Sequence, residues 1–319
     1  MWNRADTEAR PNDPQAIGRG LPNREFSMRL EDLVKDVKDL APLPKAYLRI
    51  QELVNDPNSS VDDLTTVISN DPALTGRILR IVNSAYVGLP TKVDTIGRAV
   101  QVLGLNQVHD LALASAAVGS LYKIQSKALD VYDFWRRSFY CAIVARLIAK
   151  RCRLRNAERL FVAGLMHEIG NLLLAFKEPP LYSELRDTAI RRQQTLATTQ
   201  REYLGFDYAD VSAALLKQWG LPETLIEPVL FHTRDLVLVP PASVHDAAFI
   251  HLGSAVSRAA MWMSDADEPV PAFDPIATQL AKLDEKTVDE LMSEADPMII
   301  EAMGLLLPDL KRDLKKSAA

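Results

Sequence analysis

Cysteine is nearly absent from this chain, with two in 319 residues, Cys141 and Cys152. On the one helix expected to span both, eleven residues at 1.5 Å rise set them about 16 Å apart, too far for a disulfide. A chain with no disulfide framework suits a reducing compartment, and the cytoplasm is the simplest expectation. No uninterrupted run reaches the roughly 18 apolar residues of a membrane span, and the opening Met1-Trp-Asn-Arg-Ala-Asp6 has no apolar segment of a secretory leader, so no membrane partner is expected. An excess of positive charge is missing too. The formal net charge is −5, which gives no overall field for nucleic acid. There is no Gly-rich phosphate loop, no nucleophile elbow and no Cys-based metal spacing. Strand-like alternation is also lacking, which leaves the all-α class.

What is present is an ordinary balance, 48% hydrophobic and 25% charged, in a chain long enough for about two domains. Residues 1–26 are polar, carry Pro11, Pro14 and Pro22, and read as a disordered tail. From Ser27 a 3.6-residue apolar period begins, and residues 27–128 form an N-terminal helical part. Within it Asp56-Pro57 ends one helix and Ser60-Val-Asp-Asp63 opens the next with a capping box. Asp71-Pro72 caps a third, and Gly88 is free for a left-handed exit turn. Thr95 and Gly104 bracket another short helix. His109, beside Asp110, reads as solvent-facing. The looser stretch Lys123 to Asp130 is the expected joint.

A second helical part covers residues 129–264, and residues 265–319 form a C-terminal helical extension in which Asp296-Pro297 is expected to open a helix. Thr199-Gln-Arg-Glu202 reads as another capping box, and Asp207 and Gly220 bracket a further helix. The basic run Lys150-Arg-Cys-Arg-Leu-Arg155, with Arg146 and Arg159, reads as a solvated helix end before an anion site.

One stretch of the second part raises the question of chemistry. Phe161 to Phe176 is almost wholly apolar and reads as a single buried helix, yet His167 and Glu168 stand adjacent at its centre. Burying such a pair without partners costs about 2–7 kcal/mol for an unpaired polar group. It is therefore either a pair of metal ligands or a hydrogen-bonded pin in the core. His232 stands open between lining a pocket and capping a helix end.

Taken in order, Leu43-Pro44, Asn70-Asp-Pro-Ala-Leu74, Val82-Asn-Ser-Ala-Tyr-Val-Gly88, Ala99-Val-Gln-Val-Leu-Gly-Leu105, Phe134-Trp135 with Ser138, Gly164-Leu-Met-His-Glu-Ile-Gly170, Leu204-Gly-Phe-Asp207 and Trp219-Gly-Leu-Pro222 resemble the HDOD family over about residues 30–255. These are the HD-related output domains of bacterial signalling proteins. The resemblance implies a multihelical HD-like fold and kinship with HD-type metal phosphohydrolases, in which a His, an adjacent His-Asp pair and a distant Asp hold a metal that activates water. Laid on that pattern, the first His is Arg137, the pair is His167-Glu168, and the last Asp is replaced near Ser254. Arg137 cannot ligate a metal. A degenerate site of Arg137, His167, Glu168, His232 and Ser254 follows, with Arg137 paired bidentately to Glu168, no metal, no cofactor and no catalytic residue.

That resemblance makes the chain a non-catalytic signal-transduction module that binds regulatory proteins of a bacterial pathway. Asn83, Tyr86, Val87 and Gly88 are its expected partner contacts, with Val100 to Leu105 beside them. The other readings are a metal-dependent phosphohydrolase, using His167, Glu168 and His232, and a sensor binding a nucleotide or cyclic dinucleotide without hydrolysis.

Overall fold

Helix signals punctuate the chain so regularly that its elements are set largely by their caps. The computed structural model describes residues 28–56, 58–84, 87–154, 157–261 and 268–307. Among these residues the protein is all-helical, with no strand. Expectations for the tail 1–26, for Tyr86 and for Arg155 fall outside the described residues.

The first part comprises α1 (Leu30–Val34), α2 (Val37–Leu40), α3 (Lys45–Asn55), α4 (Val61–Ser69), α5 (Pro72–Val82), α6 (Ile96–Leu103) and α7 (Leu105–Leu121). The Ser60–Asp63 capping box forms. Asp71 caps α5 with Pro72 in its first turn, and Thr95 caps α6. Gly88 and Gly104 take positive φ, at 72° and 88°, where a side chain would be strained. His109 corrects the solvent-facing expectation. It is buried, with Nε2 3.2 Å from the Tyr47 hydroxyl and Nδ1 3.3 Å from Asp110. The reason is that α7 is apolar on nearly every side and lies inside the bundle rather than on it.

The second part comprises α8 (Val131–Arg151), α9 (Ala157–Met166), α10 (Ile169–Lys177), α11 (Pro179–Arg192), α12 (Leu196–Leu204), α13 (Tyr208–Gln218), α14 (Glu223–Phe231) and α15 (Val244–Met261). The C-terminal α16 (Pro275–Ala281) and α17 (Glu285–Leu306) follow. Helix α8 is the axis, packed by α9, α15 and α17. Both cysteines are free, Cys141 within α8 and Cys152 at its C-cap.

Three boundaries differ from the sequence reading. The stretch expected as one helix breaks at His167-Glu168, between α9 and α10. By overall hydropathy the 21 residues Ala157–Lys177 are apolar enough to cross a membrane, although 89% of that window is buried inside the protein. Thr199 does not open a helix. Thr195 caps α12 by accepting from the Thr198 N–H, and Thr199 lies buried one turn inside. Pro297 sits in the interior of α17 rather than at a start. There the burial of Ile299, Ala302 and Met303 and the bond from the Tyr140 hydroxyl to Asp296 (3.2 Å) outweigh the broken backbone bond.

Candidate functional site

The break at His167-Glu168 places the polar pair where helix-end backbone groups need partners. His167 Nδ1 lies 2.7 Å from the Gly164 carbonyl. A carbonyl only accepts, so Nδ1 carries the proton and Nε2 is left with its lone pair. Glu168 stands at the N-cap of α10, and the Gly170 N–H donates to Ser212 Oγ at 2.9 Å. Close packing fixes both helices. A Cβ at Gly164 would stand 2.6 Å from the Ala142 Cα, and one at Gly170 would stand 2.2 Å from the Tyr208 carbonyl oxygen.

Glu168 is 1% exposed, and both carboxylate oxygens are occupied. Arg137 Nε, from α8, donates to Oε1 at 3.2 Å. Arg258 Nη2, from α15, donates to Oε2 at 3.3 Å. The bidentate contact expected from Arg137 alone is thus replaced by a carboxylate shared between two guanidiniums. Arg258 also holds Glu268 through Nη1 at 2.8 Å, and Arg186 of α11 lies 3.6 Å from the other Glu268 oxygen. Burial works against the Arg258 charge, but Glu268 and Glu168 outweigh it and hold the group protonated above its ordinary range. Sequence reasoning missed Arg258 and Glu268. Arg258 is one helical turn beyond Ser254, on the same face, and that i, i+4 relation was its one available signal.

His232 answers to both of its readings. It is the C-cap of α14, and it is buried beside His167, the ring centroids 5.2 Å apart and edge to face. Its Nδ1 bonds the Val229 carbonyl at 2.6 Å, so by the same reasoning Nε2 is unprotonated. That atom is sealed from water and has no hydrogen-bond partner. Leaving such an acceptor unmatched costs about 1–3 kcal/mol. Burial pushes both imidazoles down, His167 to about 3 and His232 well below the usual range. The arginines push His167 further, and His167 pushes His232. Both rings are neutral at pH 7. Ser254 is buried nearby on α15 and supplies no carboxylate.

A divalent metal of the kind HD-type enzymes use does not fit this donor set. Two imidazole lone pairs are available, but Glu168 is fully engaged and two guanidiniums repel a cation. Burial pushes the Cys141 thiol well up, away from the thiolate a metal requires. Among the described residues no group of three or more His, Cys, Asp or Glu is arranged to hold an ion.

Two clefts open on either side of the Arg258–Glu268 pair. One, of about 230 Å³, is lined by His232, Ser254, Thr233, Arg201 and the first residues of α12. The other, of about 260 Å³, is lined by Arg137, Tyr182, Arg186 and Asp133. Asp207 braces the first. Its fully buried carboxylate takes Arg201, Arg234 (3.2 Å) and the Thr233 hydroxyl (2.9 Å) while capping α13.

The other sequence candidates lie elsewhere. In the basic region, Arg146 pairs with Glu158 (2.7 Å), Arg159 with Asp246 (2.5 Å) and Arg151 with Glu294 (3.1 Å). Asn83 is exposed, but its amide is spent on structure: it donates to the carbonyls of Leu79 (2.8 Å) and Val93 (2.7 Å) and accepts from the Val93 N–H (2.7 Å). Val87 is half-buried and Gly88 is exposed.

The family model of the HDOD domain matches residues 40–234. A crystal structure of a Shewanella amazonensis SB2B protein, provisionally named a phosphohydrolase, is 26% identical with a TM-score of 0.66, covering 86% of this chain and 97% of that one. An HDOD domain protein of unknown function from Geobacter sulfurreducens shares the fold at TM-score 0.68 and 24% identity, over 88% of this chain and 98% of its own. An uncharacterized protein of Treponema pallidum (strain Nichols) is 25% identical over 227 residues, 70% of this chain. The match spans 44% of that protein, so the chain accounts for less than half of that relative's length. Ser254, Arg258 and Glu268 lie beyond the matched domain.

Proposed function

The chain belongs to the HDOD domain family, and from that premise we propose that it is a non-catalytic output module of bacterial signal transduction that binds regulatory proteins in the cytoplasm. One observation carries the reading. Both oxygens of Glu168 are held by Arg137 and Arg258, at the place where HD-type hydrolases set a carboxylate on a dication. A guanidinium neutralises that carboxylate as the ion does, but it cannot lower the pKa of a bound water to make a nucleophile. The fold keeps its geometry and lacks the means of hydrolysis.

The test is elemental analysis of protein purified without chelator, together with turnover of a phosphodiester such as bis-p-nitrophenyl phosphate. The expected result is sub-stoichiometric metal and no turnover above background. One metal per chain, with turnover that disappears in His167→Ala, overturns the proposal. That outcome would favour the hydrolytic reading, which the provisional name of the Shewanella relative supports.

The partner surface is proposed on the exit of α5 and on α6. Val102 is exposed on α6 at 41%, Val87 and Gly88 lie on the turn that leaves α5, and the two helices pack together. Asn83 serves this surface by pinning the α5 exit to Val93. Val102→Asp, at an exposed position that leaves the partly buried Val87 in place, is expected to weaken capture of the partners that the unaltered chain retains, with little change in unfolding midpoint. Retention of every partner removes this surface from the proposal.

A further inference from the structure

Most large apolar side chains of this molecule are buried in the core, and one turn departs from that rule. Val237 and Leu238, side by side on the 3₁₀ turn Leu236–Leu238 between α14 and α15, are 72% and 79% exposed. Pro240, Pro241 and Ala242 after them are exposed as well. The turn is held firmly. The Asp235 carboxylate accepts from the Val237 N–H at 3.0 Å, the Asp235 carbonyl accepts from the Leu238 N–H at 3.0 Å, and Leu236 and Val239 anchor the turn as buried residues. Holding two aliphatic side chains in water gains the fold nothing, because their apolar area stays hydrated. A projection that is already ordered loses little conformational freedom when something covers it.

A cleft of complementary chemistry, of about 300 Å³, opens where α5, α7 and α17 meet. Leu306, Leu307, Tyr122 and Ala73 give it apolar walls, and Arg77 and Arg80 stand one turn apart on α5 at its side. Arg77 lies across α7 at Gly119, where an added Cβ would come within 3.2 Å of Nη1. Its Nε donates to the Ala73 carbonyl of its own helix at 3.3 Å. Arg80 is exposed. Among the described residues neither arginine is paired with a carboxylate, and no carboxylate lines the cleft. Lys123, whose Nζ lies 5.9 Å from the centre of the Tyr122 ring, adds a third positive charge beside it. Apolar walls with cations alongside fit an aliphatic side chain that arrives together with a carboxylate.

The Val237–Leu238 turn is such a group. Asp235, which precedes it, is exposed and bonds the backbone of its own turn, whereas the neighbouring Arg234 is tied to Asp207 and Asp210. The turn therefore presents negative charge beside its two aliphatic side chains. Volume agrees, since about 300 Å³ is the space of roughly ten waters at about 30 Å³ each, enough for one leucine and one valine side chain. The exposure of the turn shows that it does not enter the cleft of its own chain. The twelve residues after Leu307 carry four basic side chains against two acidic ones, a balance that the two arginines repel. We propose that the Val237–Leu238 turn of one copy of this chain seats in the cleft between α5, α7 and α17 of another, with Asp235 beside Arg77 and Arg80. Turn and cleft are different surfaces of one chain, so the contact runs head to tail and either closes into a ring or continues. This goes beyond the reading of the chain as a module for regulatory proteins and does not rest on it.

Sedimentation velocity of the full chain in low salt, from about 10 μM to about 1 mM, reads the contact, because one turn in one cleft is a small interface and a weak one. The weight-average sedimentation coefficient is expected to rise with concentration, and to rise less when added salt screens the charges. Leu238→Asp and Arg80→Glu, both at exposed positions, are each expected to weaken self-association at least about tenfold. Mixing the two variants decides the geometry. The Leu238→Asp chain keeps an intact cleft and the Arg80→Glu chain keeps an intact turn. Together they should form a one-to-one dimer and nothing larger, at the affinity of the unaltered contact. The proposal is overturned if the unaltered chain stays monomeric at the highest concentration, or if either variant associates as the unaltered chain does. It is also overturned if the mixture associates no better than each variant alone, which is the behaviour of a symmetric patch meeting itself. Unfolding midpoints equal to that of the unaltered chain check that both variants are folded. Neither substitution touches Val87 or Val102, so failure here leaves the surface on α5 and α6 standing.

Discussion

The chemistry of the site comes down to one carboxylate and two neutral rings. Glu168 sits 1% exposed between Arg137 and Arg258, so Glu168→Gln leaves two guanidiniums competing for a group without charge. Breaking a buried pair from one side costs about 3–5 kcal/mol. Because Arg137 keeps 22% of its side chain exposed, the lower end applies: about 3 kcal/mol, read as a shift of the urea midpoint at constant m. A loss under about 1 kcal/mol would mean that the cluster does not hold the fold. His167 predicts a pH dependence with a definite sign. Its folded pKa is pushed down to about 3, against about 6.5 in an unfolded chain, so between those values the unfolded state binds a proton that the folded state does not. Stability is therefore complete above about pH 6.5 and falls on acidification, by about 2 kcal/mol at pH 5 from this ring alone. His167→Gln, which still offers Gly164 a donor, should lose about 2 kcal/mol less than the unaltered chain between pH 7.5 and 5. Equal losses would show that the ring is not held neutral. Arg137 was legible because a resemblance pointed to its position. Arg258 was not, because the family pattern marks only a lost ligand near Ser254 and holds no cation one turn further on.

At the scale of elements, legibility followed backbone chemistry. Wherever a residue constrains the backbone directly, as Asp71-Pro72, Thr95, Asp207 and Gly220 do, the boundary in the structure agrees with the sequence. The break at His167-Glu168 left no such mark. The apolar run continues through it, and what divides α9 from α10 is the approach of other helices at Gly164 and Gly170, a long-range fact that no local pattern encodes. Thr199 misled for the complementary reason, since the box it seems to begin is the second turn of a helix capped by Thr195. Two glycines turn this contrast into an experiment. Gly170→Ala would set a Cβ 2.2 Å from the Tyr208 carbonyl oxygen and 2.9 Å from the Val211 Cβ. It must push α10 from α13, at about 3 kcal/mol, the upper end for overpacking because the obstacle is backbone. Gly76→Ala, inside α5 with nothing within 4 Å of the new Cβ, should instead stabilise by about 0.5–1 kcal/mol through helix propensity. Chemical denaturation of the two variants checks both signs, and a neutral Gly170→Ala would contradict the close approach.

For the whole molecule, the sequence supported an all-helical chain in two parts joined near Lys123 to Asp130, and the structure gives that joint a particular character. Ile124 and Leu129 within it are buried, and one continuous cluster of buried side chains runs from Leu33 to Leu307. Helix α7 of the first part packs on α9 of the second, α1 reaches α13 and α10, and α17 packs on α8 while also touching α5. The local pattern of the joint is loose because its residues are polar between helices, whereas its cohesion comes from elements distant in sequence. A core shared in this way predicts one cooperative unfolding transition rather than two. Two of the four tryptophans make the prediction checkable once Trp2 and Trp262 are replaced by Phe, because Trp135 and Trp219 both belong to the second part. Their fluorescence reports that part, whereas far-UV circular dichroism reports helices throughout. Urea curves from the two signals should superimpose, with a single midpoint and a common slope. If dichroism is lost before fluorescence, α3 to α7 unfold alone and the continuous core does not act as one body. Coincidence would mean instead that the packing of α7 on α9 and of α17 on both α8 and α5 makes the two parts unfold as one body.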